Sequence, residues 1–310
     1  MATTCARNAM RALVAKPVLK WAGGKTQLLP QLVKLLPPEH AELHYIEPFF
    51  GGGALFFHLQ PARATLNDVN RDLINFYGVL RSYVSGLLED LDWLQTSHNR
   101  SDADSFYYDV REIWNAYVCG QPPPHKKQHA ILDKLYDKET TAAAVFYYLN
   151  KTCFNGIYRV NRDGAFNVPA GKYAKPRKLY VEADMLAAAE ALRKSKAVLM
   201  HRDFSRVLHL PRSTPRAFVY LDPPYAPLSK TSNFTNYAQG GFDEGAQHDL
   251  AQRVRHLTSM KHRVMISNSD APLIRTLYKG FNIHTVQARR AINSKASRRG
   301  AINELVITNY

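Results

Sequence analysis

His44-Tyr45-Ile46-Glu47-Pro48-Phe49-Phe50-Gly51-Gly52-Gly53 runs from a short apolar strand into a glycine turn, and Ala54 to Leu59 resumes as a helix. A second strand, Ala64-Thr65-Leu66, follows and stops at Asn67-Asp68. Strand, tight turn, helix and strand in that order make one β-α-β unit, and such units build parallel sheets. Working outward, Val198-Leu199-Met200 leads to Asp203, Ala217 to Leu221 leads to Asp222, and Arg263 to Ser267 leads to Asn268. Phe281 to Val286 and Glu304 to Thr308 supply the last strands. Upstream, Leu28, Leu29, Leu32, Leu35 and Leu36 recur at helical spacing, which predicts a helix over Thr26 to Leu36 that Pro37-Pro38 ends. Met185 to Lys194 reads as a further helix.

The alternation breaks between residues 71 and 150. Asp72 to Leu94, Ser105 to Val118 and Thr140 to Asn150 carry helical periodicity, with a proline-rich break at Gln121 to Pro124. The expected fold class is therefore α/β: a Rossmann-like sheet interrupted by an inserted, mainly helical domain. The predicted organisation is a flexible tail over 1–15, a ligand-binding domain made of 16–70 and 180–310, and an inserted recognition domain over 71–179.

Composition sets the class of partner. Among 310 residues, Lys and Arg number 41 and Asp and Glu 26, a net charge of +15. A field of that sign attracts polyanions, nucleic acid first among them. The three cysteines, Cys5, Cys119 and Cys153, are far apart and form no CxxC pair, which argues against a disulfide framework or a zinc site and for a reducing, cytoplasmic setting. The first residues lack an apolar stretch long enough for a signal peptide, and no run is long enough to span a membrane. The twelve histidines show no HExxH or other paired ligand spacing, so no metal is expected.

Four segments carry chemistry. In Glu47 to Gly53 the glycines let backbone approach a ligand, and Asp68, closing the next strand, can accept from ribose hydroxyls; a turn without a ligand is the alternative. The pattern is not GxGxxG, so a nucleoside cofactor without phosphates suits it better than a dinucleotide. Gly24-Lys25-Thr26 imitates the end of a phosphate-binding loop, but Leu19 stands where that loop needs its first glycine. Asp222-Pro223-Pro224-Tyr225 closes a buried strand, where ligands of open α/β sheets bind. Its prolines offer carbonyls and no N–H, Asp222 adds acceptors and Tyr225 a flat face, a set that suits a planar group bearing an amine. A proline turn is the alternative. The fourth segment is basic and aromatic: Phe146 to Lys178 holds seven Lys or Arg against one acid, Asp163. Arg159 there can bridge guanine and Asn155 can face adenine, while a solvated basic loop is the plain reading. Arg289 to Arg299 adds five basic residues and no acid.

Taken in order, KWAGGKTQLLP (20–30), EPFFGGGALFF (47–57), FNGIYRVNRDGAFNVPAGKY (154–173), DPPYAPLSKTSNFTNY (222–237), ISNSD (266–270) and SRRGAINELVITNY (297–310) resemble the Dam-like, D12-class (alpha-group) DNA adenine-N6 methyltransferases, and among them the GATC enzymes of the DpnII restriction type. The resemblance runs from about Lys16 to Tyr310. It implies S-adenosylmethionine as cofactor, double-stranded DNA as partner, no metal or membrane, and methyl transfer to adenine N6, GATC being the implied site and restriction-modification a possible setting. By the same resemblance Asp222, Pro223, Pro224 and Tyr225 are catalytic. Trp21, Ala22, Gly23, Lys25, Asp68 and Asp222 hold the cofactor. Glu47, Pro48, Phe49, Gly51 and Gly53 shape its methionine and ribose pocket, and Asp203 and Phe204 lie around its adenine. Lys20 approaches the outer guanine, and Asn155, Ile157, Arg159, Pro169 and Lys172 read the target. Lys172 stands where many relatives carry arginine and Phe154 where some carry tyrosine, so a bidentate fork and a hydroxyl are missing at those positions. The competing readings are an RNA adenine-N6 methyltransferase and a non-catalytic DNA-binding protein. Oligomeric state, monomer or dimer, is left open by the sequence.

Overall fold

The central strands form because their runs are apolar on both faces. In the computed structural model, which describes residues 14–122, 139–172, 178–228, 242–289 and 301–310, β4 (Ala217–Leu221) is buried along its whole length. The expected positions 1–13, 123–124, Tyr173, Lys175, Arg177, 229–237 and 290–299 lie outside the described residues. Seven strands make one sheet in the order β3-β2-β1-β4-β5-β7-β6, where β1 is His44–Glu47, β2 Ala64–Asn67, β3 Val198–Met200, β5 Arg263–Ser269, β6 Asn282–Arg289 and β7 Ala301–Thr308. The first five in that order run parallel. Beyond the parallel strands that the β-α-β units imply, β7 is antiparallel to both β5 and β6. A parallel pair needs a crossover of a dozen residues or more, usually a helix, and the eleven positions 290–300 are too few for one.

Side chains alternate across the sheet as the period of two requires. Tyr45, Phe218, Tyr220 and Met265 enter one apolar core, and Ile46, Ala217, Val219, Leu221, Val264 and Ile266 enter the other. Helices α9 (Glu244–Ser259) and α10 (Pro272–Leu277) cover the second face. The first face carries α1 (Leu29–Leu32), α2 (Ala54–Leu59), α3 (Arg71–Ser82), α4 (Val84–Arg100), α5 (Ala103–Val118), α6 (Glu139–Thr152) and α7 (Glu182–Lys194), while the short α8 (Phe204–Val207) belongs with the second. The helices of 71–152 share one continuous core with the sheet: Phe76 stacks on Tyr147 at 5.4 Å and meets Tyr77, which in turn lies 4.7 Å from Phe50 behind the glycine turn.

Two expected helices change shape. The stretch from Asp72 divides at Tyr83 (φ −137°, ψ 41°) into α3 and α4, with α3 capped by the Asn70 side chain, which accepts from Leu73 N–H at 2.9 Å. The stretch from Thr26 shrinks to α1 and a 3₁₀ turn, Val33–Leu35. Pro30 lacks an N–H and is tolerated only in a helix's first turn, so the helix starts beside it.

The topology puts the carboxyl ends of β2, β1, β4 and β5 along one edge. The order reverses between β1 and β4, the switch point at which open α/β sheets bind ligands.

Candidate active site

Glu47-Pro48 leaves β1 and Asp222-Pro223 leaves β4, so the two loops emerge side by side. Asn67, buried at the end of β2, ties the neighbouring ends together. Its Nδ2 donates to the carbonyls of Pro48 and Arg202, both at 2.9 Å, and its Oδ1 accepts from Arg202 N–H. Asp68 then organises the glycine turn: Oδ2 accepts from Gly51 N–H and Oδ1 from Asn70 N–H, each at 2.9 Å. Gly51 (φ 49°) and Gly53 (φ 67°) occupy the left-handed region. A Cβ at Gly51 would also lie 2.7 Å from Trp21 Cδ1, so the indole rests directly on the turn. Trp21 stacks in turn on Tyr158 at 5.7 Å.

Charge concentrates here. Lys25 is 6% exposed, and its Nζ lies 2.8 Å from Asp222 Oδ1, 2.5 Å from the Gly23 carbonyl and 4.8 Å from the centre of the Tyr225 ring. Burial pushes the Asp222 carboxyl above the usual range, with the Lys25 ammonium opposing it. Burial pushes Glu47 well up too, against the 2.9 Å hydrogen bond it accepts from Tyr45, and the charges of Asp222 and Asp68 add to the rise. Asp68 is likewise raised by burial. The Asp222 and Asp68 charges crowd Glu47, so its buried carboxyl favours the protonated form, while Asp222 keeps the Lys25 ammonium as its counter-ion.

The Asp222–Tyr225 loop is held from distant strands. Gln247 Nε2 donates to the Pro224 carbonyl at 2.9 Å, Asn268 Oδ1 accepts from Ala226 N–H at 3.1 Å, and Ser269 Oγ donates to the Ala226 carbonyl at 2.6 Å. Tyr225 donates its phenolic O–H to Glu304 Oε2 at 2.7 Å. The Pro224 carbonyl is thus taken; among the described residues no donor reaches that of Pro223. Gln247 lies outside what sequence reasoning picked out, while Asn268, Ser269 and Glu304 fall in the ISNSD and SRRGAINELVITNY segments but were given no role there. A polar Ser267-Asn268-Ser269 ending a strand that is otherwise apolar was the available signal, since such groups survive burial only when bonded.

Phe204 is placed with Phe49, 5.4 Å between rings, and Phe242 completes the cluster at 5.6 and 5.4 Å from them. Asp203 caps the turn at Phe204 by accepting from Ser205 N–H. Phe204, with Asp203 capping its turn, thus sits by Phe49.

Residues 153–171 fold as an irregular hairpin. Cys153 pairs with Ala170 and Val160 with Phe166, Phe154 N–H donates to the Pro169 carbonyl at 2.9 Å, and Gly171 N–H to that of Thr152 at 2.8 Å. Helix α5 fastens the hairpin through Asn115, whose side chain pairs with both backbone groups of Phe166, and through Tyr107, which donates to the Val168 carbonyl. Asn155 (φ 57°) and Gly156 (φ 66°) turn the chain at its start, and a Cβ on Gly156 would drive into the Lys20 side chain. Lys20, Asn155 and Ile157 are thereby brought together. Arg159, exposed, is steered by Asn167, which accepts from its Nε at 2.7 Å. Pro169 and the exposed Lys172 lie on the returning arm.

A hollow of about 650 Å³ beside Arg81, Arg193 and Lys196 lies at the start of β3, the end of the sheet away from this corner. Among the described residues no cluster of His, Cys, Asp or Glu could hold a metal ion, and no helix is long and apolar enough to cross a membrane.

A mostly parallel sheet with an Asp-Pro-Pro-Tyr corner and a glycine turn side by side at its switch point defines an α/β protein built to hold a ligand there, and the comparisons specify the family. The model of the D12 class N6 adenine-specific DNA methyltransferases matches residues 21–292. The chain is 38% identical over 296 residues to the Type II methyltransferase M1.LlaDCHI of Lactococcus lactis subsp. cremoris, covering 95% of each. It is 39% identical over 307 residues to the Type II methyltransferase M.MjaIII of Methanocaldococcus jannaschii, covering 95% of this chain and 99% of that one. With the DNA adenine methylase of Serratia marcescens it shares 35% identity over 291 residues, 93% of this chain and 96% of the other. The chain belongs to the D12 class of N6 adenine-specific DNA methyltransferases.

Proposed function

We propose that this enzyme transfers a methyl group from S-adenosylmethionine to adenine N6 in double-stranded DNA, at GATC, after flipping the adenine out of the duplex. The observation that carries the chemistry is the corner in which Asp222 is held by Lys25, the Pro223 carbonyl meets no donor among the described residues and Tyr225 stands alongside. S-adenosylmethionine supplies an activated methyl group on a sulfonium cation. Glu47, Asp68 and Asp222 line this corner with oxygen acceptors, which fits a ligand that carries positive charge and ribose hydroxyls. Trp21, Ala22, Gly23, Lys25, Pro48, Phe49, Gly51 and Gly53 would shape that pocket, and Asp203 and Phe204, beside Phe49, its adenine end.

A base inside the duplex cannot reach this corner, and flipping costs a few kcal/mol. Tyr225 would stack on the flipped adenine, while Asp222 and the Pro223 carbonyl accept its two N6 hydrogens. Lys25 occupies Asp222 Oδ1, which leaves Oδ2 for the substrate. Accepting both hydrogens would draw the nitrogen lone pair out of ring conjugation and aim it at the methyl group; as the new N–C bond forms the methyl–sulfur bond breaks with its electron pair staying on sulfur, and the Asp222 carboxylate would take the surplus N6 proton and pass it to water. Positioning and fixed dipoles supply the rate.

Residues 71–179 would serve as the recognition domain and 16–70 with 180–310 as the catalytic one. Lys20, Asn155, Ile157, Arg159, Pro169 and Lys172 would read the site, Arg159 from the orientation Asn167 imposes. The Type II names of two relatives support a place in restriction-modification, inside a cell. The test is base-resolution mapping of N6-methyladenine in DNA from cells expressing the protein, with Asp222→Ala beside it. Methylated GATC that vanishes in the variant is expected; methylation surviving the variant, or confined to another site, overturns the mechanism or the site respectively.

A further inference from the structure

We infer that Glu304 is a positioning residue for Tyr225, fixing the ring on which the target base stacks; this rests on the reading of Tyr225 given above. Tyr225 sits on irregular backbone after β4. Pro223 and Pro224 restrict the chain before it, and the bonds at Pro224 and Ala226 hold the backbone on either side. None of these sets the tilt of the aromatic ring, because the two side-chain torsions remain to be fixed. Glu304 fixes them from the far end. Its Oε2 accepts the phenolic O–H at 2.7 Å, a charge-assisted bond, stronger than one between neutral groups.

The anchor is itself rigid. Glu304 pairs with Ser269 of β5 on one side and with Val286 of β6 on the other, so it belongs to a strand bonded along both edges. Ser269 is the residue whose hydroxyl holds Ala226, so one register of the sheet secures both the backbone beside Tyr225 and the end of its ring. Lys25 lies 4.8 Å over the same ring, and its Nζ bonds Asp222. The chain of contacts Glu304–Tyr225–Lys25–Asp222 therefore fixes the stacking face relative to the acceptors of N6. A half-buried hydroxyl that merely needs a partner would also be met by Glu304, so the test must separate positioning from plain satisfaction of that group.

The experiment compares Glu304→Ala, Glu304→Gln, Tyr225→Phe and the Glu304→Ala/Tyr225→Phe pair on a GATC duplex, with 2-aminopurine at the target position in a parallel binding assay. Loss of a hydrogen bond to a charged group predicts that kcat falls roughly tenfold or more in Glu304→Ala, while KM for DNA stays within about threefold. Glu304→Gln, which still offers an oxygen acceptor, recovers most of that loss. Tyr225→Phe matches Glu304→Ala, and the pair is no worse than either, because both remove one bond. The flipped 2-aminopurine fluoresces more strongly in Glu304→Ala than in wild type, as stacking on the ring is loosened. Wild-type kcat in Glu304→Ala, additive losses in the pair, or unchanged fluorescence overturns the inference. If Glu304→Ala does not fold, Glu304→Gln against Tyr225→Phe decides: a loss in the former equal to that in the latter overturns it. A wild-type enzyme without N6-methyladenine product brings down the underlying reading instead, so the two failures are distinct.

Discussion

Asn150 of α6 pairs with both backbone groups of Lys20: its Nδ2 donates to the Lys20 carbonyl at 2.7 Å and its Oδ1 accepts from Lys20 N–H at 3.0 Å. The same Nδ2 reaches the Gly156 carbonyl at 3.3 Å. One buried amide thus joins the start of the Lys20–Lys25 loop to the start of the hairpin of residues 153–171. Asn150→Ala removes these bonds from part-buried backbone groups of Lys20, and unfolding in urea should show a loss of about 2–3 kcal/mol. A loss below about 0.5 kcal/mol, the range of ordinary surface changes, would mean water takes over the amide's bonds.

That joint also shows where sequence reasoning stops. β1 and β4 were legible because each is a short run that ends at a proline turn, β4 being apolar throughout, and His44–Glu47 and Ala217–Leu221 form as expected. The glycine turn and Asp222–Tyr225 were legible for the same reason: each is a contiguous stretch whose chemistry is local. Asn150, Gln247 and Glu304 were not, because each is a single polar residue in an otherwise ordinary helix or strand. Their meaning comes from partners 130, 23 and 79 positions away, and only the sheet order brings them there. The antiparallel β7 was hidden likewise, since strand direction depends on the connection and not on the strand's own residues. Pro30 was visible, and its effect on the Thr26 helix was the legible point that periodicity outweighed.

Glu47 makes stability depend on pH in a defined sense. Its folded carboxyl is raised well above 4.5 by burial, so above 4.5 the unfolded chain releases a proton that the folded chain keeps. Stability contributed by this group is full below the unfolded value and declines as pH rises toward the folded one, by about 1.4 kcal/mol per pH unit for one proton. Glu47→Gln keeps an acceptor for Tyr45 and removes the titration. Urea melts across the range above pH 4.5 should show a flatter dependence in the variant than in wild type. Parallel curves would place the Glu47 charge in contact with water or a cation.

Gly51→Ala and Gly53→Ala should fail differently. A Cβ at Gly51 meets the half-buried Trp21 at 2.7 Å, whereas one at Gly53 meets the buried Phe50 ring at 2.6 Å. Both also hold an alanine at positive φ, at a cost of about 1–3 kcal/mol. Trp21 can swing outward and Phe50 cannot, so Gly53→Ala should lower the melting temperature further, while Gly51→Ala loses cofactor affinity, read by calorimetry, out of proportion to its stability. Equal losses of stability would show that Trp21 is as fixed as the core.

Arg159 tests whether the hairpin reads sequence or only phosphate. Asn167 holds Nε at 2.7 Å and, through its carbonyl, Nη2 at 3.3 Å, which orients the exposed guanidinium without shielding it. A bidentate arginine on guanine is worth about 1–3 kcal/mol of discrimination, so Arg159→Ala should cut the preference for GATC over singly substituted sites by roughly 10- to 100-fold at one position. A phosphate contact would instead weaken methylation of all sites alike and reduce its salt dependence. Rates on GATC and on the twelve single-substitution duplexes, measured at two salt concentrations, separate the outcomes. Asn167→Ala should reproduce part of the Arg159 effect, because it frees the guanidinium while leaving its charge, and an unchanged site profile in that variant would show that the orientation set by Asn167 plays no part in recognition.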